Sequence, residues 1–123
     1  MWLDANTLTG SIPTEIGLLT ELASLSLTNG TLKKEIPSQM GLLKGLRRVW
    51  LYNNGLVGTI PLEVQNLTLL EVFEVQDNKL NGTMPEKVCT NVKDKSYVHK
   101  SLVADCKKVQ CPTPTCCTNC PDN

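Results

Sequence analysis

The chain is poor in aromatic residues, 4% of 123, so any core must be packed from aliphatic side chains. It has a single histidine, His99, with Tyr97, Lys100 and Asp105 nearby but no serine or cysteine placed around it in a catalytic pattern. A general base needs a positioned partner and a pocket, so His99 reads as a cap or surface residue and no enzyme is expected. Net charge is missing too: 12 basic groups balance 12 acidic ones, six against eight over residues 1–85 and six against four over 86–123. A nucleic-acid or membrane-surface binder needs a basic field, and neither partner is expected. No stretch approaches the roughly 20 apolar residues that span a bilayer, and Met1-Trp2-Leu3-Asp4 lacks the basic region and apolar run of a signal peptide.

What is present is a period. Residues 46–69 set Leu46, Val49, Leu51, Asn54, Leu56, Gly58, Ile60, Pro61, Val64 and Leu67 in fixed places. One period of 24 downstream these places hold Leu70, Phe73, Val75, Asn78, Leu80, Gly82, Met84, Pro85 and Val88. One period upstream they hold Leu22, Leu25, Leu27, Gly30, Leu32, Lys34, Ile36, Pro37, Met40 and Leu43, and a partial copy opens the chain from Leu3 to Leu19. Within each copy LxxLxL alternates as a strand does, so its leucines point inward and the residues between them point out. Each proline locks a torsion and pushes its predecessor toward extended backbone. The stretches that follow, PTEIGLL, PSQMGLL and PLEVQNL, are too short for full helices and suit one 3₁₀ or α turn.

Four copies of LxxLxLxxNxLxGxIP in one register resemble the leucine-rich repeat family, specifically its plant-type, receptor-like subclass. The resemblance implies an α/β-type solenoid, mostly β and loop: a short right-handed stack with a parallel concave sheet and helical turns on the convex side. It divides the chain into repeats over 1–88 (partial 1–21, full 22–45 and 46–69, last 70–88 running into the cap) and a Cys-rich cap and tail over 89–123. Asn6, Asn54 and Asn78 should form a ladder to backbone groups, while Gly30, with Asn29 beside it, breaks it or reaches it by a local shift. Since Trp2 and Leu3 fall in mid-strand positions, the chain is expected to be truncated at its N-terminus, leaving an edge open to self-association.

All six cysteines, Cys89, Cys106, Cys111, Cys116, Cys117 and Cys120, fall in the last 35 residues. An even count at the end that a solenoid must seal suggests a disulfide-stapled cap and an extracellular or secretory setting. Fifteen pairings are possible, with Cys89 expected to tie the last repeat to the tail. A tetrathiolate zinc site from Cys111, Cys116, Cys117 and Cys120 is the rival reading, and with it an intracellular scaffold. Otherwise no metal or cofactor is implied. The segment Leu102 to Cys106 looks like a last, degenerate strand, and with the ending CPTPTCCTNC it resembles the tails of diatom leucine-rich repeat proteins, though four residues separate Cys111 from Cys116.

The outward positions of the strands nominate a ligand-binding face of Trp2, Asp4, Ser26, Thr28, Arg47, Arg48, Trp50, Tyr52, Glu74 and Gln76. Tryptophan, tyrosine and arginine dominate binding hot spots, which points to a protein or peptide ligand. Glu71 and Glu74, three apart, point to opposite sides and form no acid/base dyad. Asn29, Asn66 and Asn81 head N-x-[ST] glycosylation sequons. The expected function is non-catalytic recognition, as the C-terminal part of an extracellular receptor-like protein. A secreted structural or cell-wall protein and an enzyme inhibitor are the alternatives.

Overall fold

The computed structural model describes residues 9–93, 101–105, 109–112 and 117. Trp2, Asp4, Asn6, His99, Cys106, Cys116 and Cys120 lie outside the described residues. Among the described residues nine strands and one α-helix follow in order: β1 (Thr9–Gly10), β2 (Ser24–Ser26), β3 (Thr31–Leu32), β4 (Arg48–Trp50), β5 (Val57–Thr59), β6 (Val72–Glu74), β7 (Lys79–Thr83), α1 (Glu86–Lys93), β8 (Ser101–Val103) and β9 (Val109–Gln110). The main sheet has order β2-β4-β6-β8 and is parallel throughout. Leu25, Val49 and Phe73 stand side by side in it, one period apart, and each is fully buried. The last, degenerate strand read from Leu102 and Val103 is β8, which extends this sheet beside β6.

The extended backbone before each proline forms a second layer of parallel pairing, β1 with β3 and β5-β7-β9. The alternation in the sequence pointed only to extended chain here. Gly10, Gly58 and Gly82 take φ of 91°, 81° and 82° in this layer, a region that side chains disfavour.

Each proline then opens a helical turn. The carbonyls of Pro13, Pro37 and Pro61 accept from the amides of Ile16, Met40 and Val64 at 3.1 Å each, closing 3₁₀ turns at Thr14–Leu18, Ser38–Leu42 and Leu62–Asn66. These turns stack so closely that a Cβ on Gly41 would stand 2.6 Å from the Glu63 carbonyl oxygen. In the fourth copy the turn continues as the eight-residue α1. Val88, Cys89 and Val92 are all buried, so a second helical turn covers apolar surface that the inner repeats cover with the next repeat. Asn91 Nδ2 fastens α1 by donating to the carbonyls of Gln65 and Leu67 at 3.0 and 3.3 Å.

One aliphatic core runs the length of the stack, from Ile12 to Cys117. Full burial of each such side chain contributes about 1.5–3 kcal/mol, and most of these leucines are buried only because a neighbouring repeat covers them. Two asparagines lace the turns together. Asn78 Nδ2 donates to the carbonyls of Leu51, Val75 and Gln76 at 2.9, 3.0 and 3.2 Å, while its Oδ1 accepts from Leu56 N at 3.1 Å. Asn54 repeats the pattern on Leu27, Leu51 and Tyr52, with Leu32 N as its donor. Asn29 does not substitute for the missing asparagine at Gly30: it sits at φ 54° and accepts from Asn53 Nδ2 at 2.7 Å, in a separate surface row. Past Asn78 the row is closed by Asp105, whose carboxylate accepts from the amides of Asp77 and Asn78 at 2.8 and 3.1 Å.

At the end of the core Cys111 is bonded to Cys117. This uses two of the four thiolates that the zinc reading needs, so that reading loses its ligand set. Cys89 is also disulfide-bonded. Replacing Asn78 with alanine removes the side-chain partners of the Val75 carbonyl and of Leu56 N, while the Leu51 and Gln76 carbonyls keep Asn54 Nδ2 and Asn53 N, and urea unfolding is expected to show a loss of roughly 2–4 kcal/mol. The same change at exposed Asn66 should cost less than about 1 kcal/mol.

Candidate functional site

The outward positions of the main sheet form three rows across the strands. Ser24, Arg48 and Val72 share the first row, and Ser26, Trp50 and Glu74 the second. The backbone ladder continues past the strand ends, with Leu51 N on the Glu74 carbonyl and Asn29 N on the Tyr52 carbonyl. This sets Thr28, Tyr52 and Gln76 in the third row. Trp50 therefore stands mid-sheet, with Arg48 and Tyr52 two residues away on its own strand.

Exposure within these rows is uneven. Arg47 and Arg48 keep about half of their side chains in water, at 47% and 49%, and Trp50, Tyr52, Glu74 and Gln76 are half-buried. Ser26 and Thr28, expected to be exposed, are only 2% and 4% accessible. Ser26 pairs laterally with Trp50, and Thr28 stands in the row of Tyr52. Val72, a concave-row residue that the sequence reading passed over, is buried as well. The accessible part of the face thus lies on β4 and β6 and the residues just after them, and its most exposed side chains are Arg47 and Arg48.

Its electrostatics depend on a residue that the sequence reading set aside. Glu71 lies at the start of β6 with its side chain 3% exposed. Its Oε1 accepts from Arg47 Nη1 at 3.1 Å, and its Oε2 lies 3.7 Å from Arg48 Nη2. Oε2 is buried and makes no hydrogen bond among the described residues, so Arg48 compensates it by charge alone. Two guanidinium groups on one carboxylate leave this edge of the sheet with a net positive charge. Arg47 and Glu71 stand one period of 24 apart, which makes them lateral neighbours. Opposite charges at a full period was the signal that could have found the pair.

The two exposed sequon asparagines away from this face are Asn66, at the end of a 3₁₀ turn, and Asn81 on β7; Asn29 is exposed in the turn after β2. The described residues hold no cluster of three or more His, Cys, Asp or Glu side chains able to bind a metal ion. Among them no helix is long and apolar enough to cross a membrane.

A family model described as Leucine Rich Repeat matches residues 45–67. No curated protein matches. Among solved structures, a chain of the BIR3–SERK2 complex from Arabidopsis thaliana is 34% identical over 72% of this chain and 48% of that one, with a TM-score of 0.68. The BIR2 ectodomain from the same plant is 37% identical over 70% of this chain and 45% of its own, also at 0.68. The ectodomain of the Arabidopsis receptor kinase HAESA, solved with an IDA peptide hormone ligand, is 37% identical over 71% of this chain and 15% of its own, at 0.66. The chain spans about half the length of the first two.

Truncating Arg47 to alanine removes the one hydrogen-bond donor that the buried Glu71 carboxylate has among the described residues. Because water reaches the arginine side, the expected loss in urea unfolding is about 1–2 kcal/mol, below that of a fully buried pair. The double variant Arg47→Ala, Glu71→Leu should recover part of it.

Proposed function

Since this chain is a leucine-rich repeat protein of the plant receptor-like type, we propose that it is a non-catalytic recognition module that binds a protein or peptide across the main sheet. The observation that carries this reading is the placement of Trp50, with Arg48 and Tyr52 beside it, on the accessible part of a parallel sheet whose other side is core. Aromatic and arginine side chains on a rigid support lose little conformational entropy when a partner covers them. The HAESA ectodomain holding a peptide and the BIR3–SERK2 pair, two proteins in complex, support the same class of function.

The sheet is small for the task. Four strands at about 4.8 Å spacing and some 17 Å of strand offer roughly 300–350 Å² of flat surface, against about 800 Å² per partner in a standard interface. The module therefore acts as part of a longer array, as the C-terminal portion of a receptor-like ectodomain outside the cell, with residues 89–123 as its cap. The Cys111–Cys117 bond and the bonded Cys89 support an oxidising setting, and residues 89–123 contain every cysteine of the chain.

The test begins with a displayed peptide library panned on the intact chain, followed by calorimetry on the enriched peptides. Trp50→Ala and Arg48→Ala are each expected to weaken binding about tenfold or more, with the melting temperature little changed. The exposed Leu42→Ala on the opposite side should leave it unchanged. Peptides that bind all variants equally would contradict the reading.

A further inference from the structure

The side of the stack opposite the main sheet carries a row of exposed leucines. Leu18 and Leu42 close the first and second 3₁₀ turns, one period of 24 apart, and they are 77% and 55% exposed. The turns lie in direct contact: a Cβ added to Gly17 would meet Leu42 Cδ1 at 3.1 Å, and one added to Gly41 would meet Glu63 Cβ at 2.7 Å. Residues at the same place in successive turns are therefore lateral neighbours. Scattered exposed leucines are ordinary, but a contiguous row marks a surface that something covers.

The third turn ends not on leucine but on Asn66. With Leu67 and Thr68 it forms an N-x-[ST] sequon, in which Asn66 and Thr68 are exposed on either side of fully buried Leu67. The backbone here is fixed. The carbonyls of Gln65 and Leu67 accept from Asn91 Nδ2, and the Asn66 carbonyl accepts from Thr68 N at 3.1 Å. None of these bonds uses the Asn66 side chain.

The other two sequons have different surroundings. Asn29 Oδ1 accepts from Asn53 Nδ2 at 2.7 Å and its backbone amide donates to the Tyr52 carbonyl, at the margin of the main sheet. Asn81 stands on β7 in register with Thr59. Of the three, Asn66 alone continues a row of exposed leucines.

We propose that Asn66 carries an N-linked glycan whose first sugar rings lie over Leu42 and cover the leucine row. The modification rests on the extracellular setting inferred above. In it Asn66 Nδ2 forms a bond to the anomeric carbon of an oligosaccharide held on a polyprenyl diphosphate. The bond from that carbon to the diphosphate oxygen breaks, the lipid diphosphate leaves with the bonding pair, and Nδ2 gives up one proton. A sugar ring has an apolar C–H face and polar hydroxyls, so a ring over Leu42 removes apolar surface from water and presents polar groups in its place. A glycan rooted on this turn also lies away from Arg48, Trp50 and Tyr52 and leaves the proposed binding face clear.

The test uses the intact chain secreted from cultured plant cells behind a cleavable signal. Glycopeptide mass spectrometry reads occupancy, and a dye that fluoresces on apolar surface reads coverage. Asn66 should be occupied in most molecules. Asn66→Gln should raise dye fluorescence about twofold or more with an unchanged urea midpoint, and Asn81→Gln should not raise it. Adding Leu42→Ser to Asn66→Gln should return the signal to that of the glycosylated chain. A chain secreted with its cysteines oxidised but with Asn66 bare would overturn the proposal and leave the recognition reading standing. So would an Asn66→Gln variant whose fluorescence is unchanged, or one whose added fluorescence survives Leu42→Ser. A secreted chain whose cysteines remain open to alkylation would overturn the extracellular reading, and the proposal with it.

Discussion

Every repeat in this chain has more apolar surface than it can bury by itself. A unit of 24 residues offers a three-residue strand, a short extended run and one helical turn, which is too little to close around Leu46, Val49, Leu51 and Leu56. Those side chains become fully buried only when the neighbouring units lie against them, so lateral stacking is the condition on which the rest of the structure depends. The asparagines make the stacking specific. Asn54 and Asn78 reach carbonyls in their own repeat and in the one before it, so a repeat displaced by one residue would leave buried amides without partners.

The same condition produces the proposed binding surface. Parallel stacking repeats one set of side-chain positions every 24 residues, and a residue that departs from its column stands out against identical backbone on either side. Trp50 and Arg48 depart from the serines of β2, and Glu71 departs from Arg47 and Ala23 and thereby acquires Arg47 as its neighbour. The scaffold is invariant, and the side chains proposed to bind a partner are the exceptions.

Much of this was legible in the residues. The period placed the strands, the prolines placed the 3₁₀ turns, and Asn54 and Asn78 were found at the ninth position of the repeat, each bonded to backbone of two repeats. What was not legible depended on lateral partners that a linear pattern does not show. The pairing of β5 with β7 needs two copies in register, and a single GxIP run looks only extended. The burial of Ser26 and Thr28 runs against their own polarity, and nothing in their linear pattern signals it. The growth of the fourth turn into α1 follows from the absence of a following repeat of the same kind, which leaves Val88 and Val92 to be covered by the helix itself and by the chain beyond it.

If stacking holds the molecule together, the interior turns cannot open one at a time. Native-state amide hydrogen exchange, followed by NMR, reads this directly at Leu32 and Leu56, whose amides donate to the side chains of Asn54 and Asn78. Both are expected to exchange only through global unfolding, with an opening free energy equal to that from urea denaturation and the same response to denaturant. Exchange of either amide through a local opening several kcal/mol cheaper, insensitive to denaturant, would mean that the repeats are independently mobile and that the main sheet is not the rigid surface described here.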